Sequence, residues 1–143
     1  MIAYIDTSAL TKKYIKEQGS DEVIRHWNNV ETIVVSAVAY AEFFSAINRK
    51  QREGVLAEDE YKLAIHEFKN DWDTFEKVEV NNLLHDRVEE LTAAYIVRGF
   101  DAIHLASALC FKHWQGENLS FICADRRLND AAQQEGLNVV DLS

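Results

Sequence analysis

Short runs of β-forming apolar residues alternate with helical patterns along the chain, and no two runs are joined by a hairpin signal. Strands joined through helices pair in parallel, and a parallel sheet needs cover on both faces. The runs are Ile2-Ala3-Tyr4-Ile5, Ile33-Val34-Val35, a short one at 78–80, Phe121-Ile122-Cys123 and Val139-Val140. Between them, Ser8 is placed to cap a helix carrying Leu10 and Tyr14, and residues 21–28 turn Val23, Ile24 and Trp27 inward. A third helix runs from about Ala37 to Glu53, with Gly54 as its stop. Tyr61, Ile65, Phe68, Trp72 and Phe75 mark a fourth, and Leu84, Val88, Leu91 and Tyr95 a fifth, closed by Gly99. Asp101 opens a sixth, apolar nearly all round over 102–111 and therefore buried, and a last helix follows Asp125. The expected fold is a helix-rich α/β three-layer sandwich around a short parallel sheet.

A chain of 143 residues that is 48% hydrophobic suits a single domain spanning 1–143. No uncharged apolar run approaches the roughly 18 residues a membrane span requires, and Met1 to Ile5 has no basic leader. A cytoplasmic protein with no membrane partner is expected. Cys110 and Cys123 are too few for a disulfide framework and read as small core residues.

Four carboxylates stand out. Ligand sites of open parallel sheets lie beyond the carboxyl ends of the strands, where Asp6 and Asp125 fall. Glu42 has Val38, Ala39, Ser45 and Ala46 as its helical neighbours, so it is a charge on a small, mostly apolar face and needs a partner. Asp101 at a helix start can point into the same crevice. Each acid has a plainer reading: Asp101 and Asp125 as N-caps, Asp6 as a turn residue, Glu42 paired with a base such as Arg98. Together they favour another. Two carboxylates 4 Å apart repel by roughly 4 kcal/mol at an effective dielectric near 20, and no neighbouring base obviously neutralises Asp6 or Asp101. A hard divalent cation, Mg²⁺ or Mn²⁺, would relieve that repulsion.

The net charge of −9 is unevenly spread. Residues 58–90 hold 11 acidic and 4 basic side chains, and without the four candidate ligands the rest of the chain is at +2. A phosphate-bearing partner is therefore compatible with the other faces. Lys12, Lys13 and Lys16 follow Asp6, and Arg126 and Arg127 follow Asp125, as candidate phosphate contacts. Arg49, Lys50 and Arg52 lie about 10 Å or more along the helix from Glu42 and are weaker candidates.

At these residues the sequence resembles the PIN domain, in particular the VapC-type toxin ribonucleases of toxin–antitoxin pairs. The likeness rests on Ile5-Asp6-Thr7-Ser8-Ala9-Leu10 with Lys12 and Tyr14, on Ser36 through Glu42, on Asp101-Ala102-Ile103-His104-Leu105-Ala106-Ser107-Ala108, and on Ala124-Asp125-Arg126-Arg127-Leu128. It departs at Cys123, where many relatives carry threonine. The resemblance implies a Mg²⁺- or Mn²⁺-dependent endoribonuclease in which a metal-activated water attacks the scissile phosphorus in line. It implies Asp6 and Asp101 as direct ligands, Asp125 as a direct or water-mediated one, and Glu42 as the residue that orients a water or binds a second ion. Thr7 or Ser8 would supply a hydroxyl beside the first acid, and Thr7, Ser8, Lys12, Arg126 and Arg127 would contact the RNA. A cognate antitoxin and a homodimer are the implied protein partners.

Three other readings compete. A zinc site from Cys110, His113, His104 and Cys123 lacks the close cysteine pairs of structural zinc modules, and burial in a helix accounts for Cys110 and His104. A phosphoaspartate enzyme would need a second acid where Ser8 stands. A non-catalytic PIN-like scaffold that only binds protein or RNA would have no use for all four acids. Tyr40, Phe43, Phe44, Tyr61, Phe68, Trp72 and Phe75 exceed what one core face obviously needs, so part of this set is expected at a protein interface.

Overall fold

The computed structural model describes residues 1–116 and 118–143. Five strands among them, β1 (Ile2–Ile5), β2 (Thr32–Ser36), β3 (Glu76–Val78), β4 (Leu119–Cys123) and β5 (Asn138–Asp141), form one sheet in the order β3-β2-β1-β4-β5. Every pairing is parallel, with Ile2 opposite Thr32 on one side and Leu119 on the other. The helices are α1 (Thr7–Tyr14), α2 (Ser20–Asn28), α3 (Ala39–Arg52), α4 (Glu58–Trp72), α5 (Asn82–Ala94), α6 (Gly99–Gln115) and α7 (Arg126–Gln134). None of them singly is long and apolar enough to cross a membrane.

The period-two geometry of the strands divides the core. Tyr4, Val34 and Phe121 face α5, α6 and α7, while Ala3, Ile5, Ile33, Val35 and Ile122 face the layer of α1 to α4. The expected three-layer sandwich results. Chain order reverses at β1, whose neighbours β2 and β4 come from opposite halves of the sequence. The crevice beyond β1 and β4 is therefore the topological switch point, where open α/β sheets bind ligands.

Several boundaries differ from the sequence reading. Helix α1 begins at Thr7 with Asp6, not Ser8, as its N-cap, because the Asp6 carboxylate already accepts from Ala9 N. Helix α3 starts at Ala39, two residues late, and β3 ends at Val78 where a run at 78–80 was expected. Gly99 does not close α5. That helix ends at Ala94 with Tyr95 extended, and Gly99, which is not in the left-handed region that Gly116 occupies, opens α6. Asp101 consequently lies in the first turn of α6, whose N-cap is Arg98.

The aromatic surplus is mostly internal packing. Phe43 of α3 and Phe68 of α4 stack with ring centres 3.8 Å apart, both fully buried, and the Tyr14 ring meets each edge-on at 5.6 Å. Trp72 and Phe75 extend the cluster, leaving Tyr40 as its one exposed member. Phe68→Ala should therefore cost about 3–5 kcal/mol in denaturant unfolding. Leu63→Ala, on the exposed face of the same helix, should stay within about 0.5 kcal/mol.

Candidate active site

Asp6 follows the last residue of β1 and is almost fully buried. Its backbone N–H donates to Ile122 O of β4 at 3.2 Å, its Oδ1 accepts Ala9 N at 3.1 Å, and the Ser8 hydroxyl lies 2.8 and 2.9 Å from its two oxygens. Ser8 Oγ also accepts from Ala124 N at 3.0 Å, so one hydroxyl ties the turn after β1 to the turn after β4. In that second turn, Cys123 Sγ accepts from Asp125 N at 3.2 Å. The sulfur thus keeps a weak acceptor at the position where the family resemblance implies a threonine hydroxyl. Asp125 N-caps α7 through Leu128 N at 3.0 Å and lines the cleft as well, so the capping and site readings hold together.

Glu42 does not pair with Arg98. Its Oε1 accepts the Thr7 hydroxyl at 2.7 Å and lies 2.6 Å from His104 Nε2. The other ring nitrogen, Nδ1, is 2.8 Å from Tyr4 OH, and His104 is only 2% exposed. A chain of polar contacts thus runs from the middle of the sheet to the cleft. The sequence reading took His104 for an inert buried residue. The available signal was its spacing: three residues after Asp101 on a helix, it shares that acid's face.

All four acids line one cleft of about 610 Å³. Burial raises the Asp6 carboxyl above its ordinary range, against the opposing pull of His104 and the Ser8 and Ala9 donors. Asp101 is also raised, first by desolvation and then by the charges of Asp125 and Asp6. Burial works to raise Glu42 too, but the hydrogen bond and charge of His104, with Thr7, hold it below the usual value. Burial opposes a charge on His104, yet the Glu42 hydrogen bond and the negative charges of Asp6, Glu42 and Asp101 outweigh it and raise the imidazole.

The basic side chains are distributed differently from expectation. Lys12 Nζ is held by Glu17 at 3.2 Å and by the Gln18 carbonyl at 2.8 Å, and Lys13 lies 4.8 Å from the Trp27 ring centre and 3.4 Å from Asp71. Lys16 is exposed beyond the end of α1, and none of the three lines the cleft. Arg49 and Lys50, set aside for their distance from Glu42, do line it. The cleft runs along α3, so Glu42, Ser45, Ala46 and Arg49 form one helical stripe down its wall. Arg98 joins them, and Arg126 and Arg127 line an adjoining hollow of about 560 Å³ that Asp101 and Asp125 also border.

Among the described residues no three His, Cys, Asp or Glu side chains are placed to hold a metal ion by themselves. The donors nonetheless fit a hard cation. Mg²⁺ keeps several waters and takes only one or two carboxylates plus substrate phosphates, and the four acids line one cleft.

The PIN domain family model matches residues 3–134. The chain belongs to the PIN-domain family. Ribonuclease VapC45 of Mycobacterium tuberculosis is 30% identical to this PIN domain over 138 residues, covering 96% of this chain and 94% of its own, which identifies the chain as a member of the VapC ribonucleases. A toxin–antitoxin complex from Klebsiella pneumoniae contains the same fold at a TM-score of 0.67 and 16% identity, covering 99% and 98% of the two chains. The Mycobacterium tuberculosis VapC20, a Sarcin-Ricin loop cleaving toxin, matches at 0.66 and 14%, covering 94% and 95%.

A raised carboxyl pKa means that the folded state binds the proton more tightly than the unfolded chain. The associated stability is present at low pH and is lost as pH rises through the folded value. At neutral pH, Asp6→Asn and Asp101→Asn should therefore leave the metal-free protein as stable as the parent or raise its melting temperature, measured by thermal denaturation in EDTA.

Proposed function

We propose that this PIN domain, taken as one domain over residues 1–143, is a Mg²⁺- or Mn²⁺-dependent endoribonuclease and the toxin of a toxin–antitoxin pair. The observation that carries the reading is the convergence of Asp6, Glu42, Asp101 and Asp125, from four separate segments, on one cleft at the switch point of the sheet. Asp6 and Asp101 would hold the ion, with Asp125 completing the site directly or through water. When bound, the ion would lower the pKa of a water for in-line attack and stabilise charge on the phosphate oxygens. Everything else is work for the chain. Thr7 and His104 both engage Glu42 Oε1, which leaves the second oxygen free to orient the attacking water. Ser8 holds the Asp6 carboxylate in place, and Arg98, Arg126 and Arg127 bind the flanking phosphates.

The toxin–antitoxin complex among the structural neighbours supports an antitoxin protein as partner. A homodimer and a cytoplasmic location complete the reading, with exposed Tyr40 at the edge of the aromatic cluster as a dimer contact.

RNA cleavage should require Mg²⁺ or Mn²⁺ and stop in EDTA, and Asp6→Asn should abolish it. Undiminished cleavage in EDTA would sink the metal mechanism, whereas metal-independent RNA binding without any cleavage would favour the scaffold. In thermal denaturation, metal at about a hundred times its Kd should stabilise the native protein by about 2.7 kcal/mol. Asp6→Asn should remove most of that gain.

A further inference from the structure

Tyr4 carries a hydroxyl that packing alone does not require. The residue lies on the central strand β1, opposite Val34 of β2 and Phe121 of β4, and is completely buried. Its ring stacks on Phe121 with centres 5.6 Å apart, in a core cluster shared with Val34, Leu105 and Ala106. A phenylalanine would fill that place equally well. A hydroxyl withdrawn from water is costly unless it is hydrogen-bonded, so its presence calls for a partner. That partner is His104 Nδ1, at 2.8 Å.

His104 repeats the pattern one step outward. It is buried on α6 among Ala102, Leu105, Ala106 and Ala108, and its ring stands edge-on to Tyr4 at 6.0 Å. Nε2 lies 2.6 Å from Glu42 Oε1 and 3.3 Å from Thr7 Oγ1. A carboxylate only accepts, so Nε2 carries the hydrogen in this contact whatever the charge on the ring. With Nδ1 held to the sheet and Nε2 to the cleft, a flipped ring would lose both contacts. An outer hydrogen bond on the far nitrogen is how histidine rings are fixed in orientation elsewhere. Glu42 has three side-chain torsions and is partly exposed, and both of its donors, Thr7 and His104, reach the same oxygen. The direction of Oε2 is therefore decided at Oε1.

We propose that Tyr4 is a positioning residue for the reaction: from inside the sheet, and through His104, it fixes the direction in which Glu42 presents Oε2 to the cleft. The inference rests on the ribonuclease reading above and adds to the acids a buried pair that aims one of them. The anchor suits the task, because β1 is paired on both sides and the Tyr4 ring is stacked, so the hydroxyl has little freedom to move. A misplacement of about 1 Å at a reacting group can cost a hundredfold in rate. The competing account makes the Tyr4–His104 contact a tie between β1 and α6 that serves stability alone.

The test is a double-mutant cycle in the full-length protein, well below the melting temperature of every variant, with Mg²⁺ and a labelled pool of random-sequence RNA. Single-turnover rates at saturating protein report the step after binding, and the half-saturating concentration reports binding. Tyr4→Phe should lower the saturated rate about tenfold to a hundredfold and leave half-saturation within about twofold. His104→Gln, which keeps an N–H for Glu42 but has no second nitrogen for Tyr4, should lose a similar factor. Adding Tyr4→Phe to it should then change the rate by less than about twofold. Leu84→Ala, a cavity in the same core cluster, should lower the melting temperature without lowering the saturated rate. A second reading needs neither RNA nor metal. The Nε2 proton of His104 should give an exchange-protected imidazole signal in EDTA, missing from His104→Gln, broadened in Tyr4→Phe and retained in Leu84→Ala. A Tyr4→Phe protein with the parent's saturated rate would overturn the proposal, as would losses that multiply in the double variant or an equal loss in Leu84→Ala. A parent that leaves the RNA intact would defeat the ribonuclease reading and this proposal with it. The imidazole signal tells that failure from a failure of the Tyr4–His104 contact.

Discussion

A carboxylate withdrawn from water must find donors or cations, and the carboxyl end of this sheet is arranged around that requirement. Asp6 draws on Ser8 and the Ala9 N–H, Asp125 on the Leu128 N–H, and Glu42 on Thr7 and His104. Asp101 has no such partner among the described hydrogen bonds, and its carboxyl is pushed up by burial and by its neighbours. The site thus holds three acids in fixed orientations and one under electrostatic pressure. That is an arrangement suited to receiving positive charge.

The fold delivers these side chains by topology more than by local sequence. Because β1 is the middle strand and the chain reverses direction of travel across it, the turns after β1 and β4 are adjacent although more than a hundred residues separate them. Tyr4, in the middle of that strand, contacts His104 on α6, and His104 contacts Glu42 on α3. A single polar path therefore joins the sheet to the helical layers on both of its faces.

Much of this was legible in the sequence, and what was not has physical causes. The apolar runs and helical periods gave the parallel three-layer order, and Asp6 and Asp125 were recognisable from their positions after strands. Glu42 stood out as a charge on a small, mostly apolar helical face, whereas Asp101 leaned on the motif likeness, because nothing local says toward which wall of a crevice a helical side chain points. His104 was passed over because a histidine in an apolar helix reads as packing until its partners are known, and those come from positions 4, 7 and 42. The lysines of α1 misled for the opposite reason. Nearness in sequence to Asp6 suggested nearness to its ligand, whereas Lys12 reaches back to Glu17 and the Gln18 carbonyl. Gly99 was read as a stop, although without a positive φ it only opens the next helix.

The double duty of Asp6 and Asp125 has a genetic consequence. Each side chain caps the helix that follows it while facing the cleft, so most replacements at these two codons remove a helix cap worth about 1 kcal/mol along with the charge. Asparagine and serine, and less well threonine or glycine, remove the charge and keep most of the cap. Loss of charge at these two positions passes through a narrow gate if the folded chain is to persist. Asp101, which caps nothing, offers a wider one.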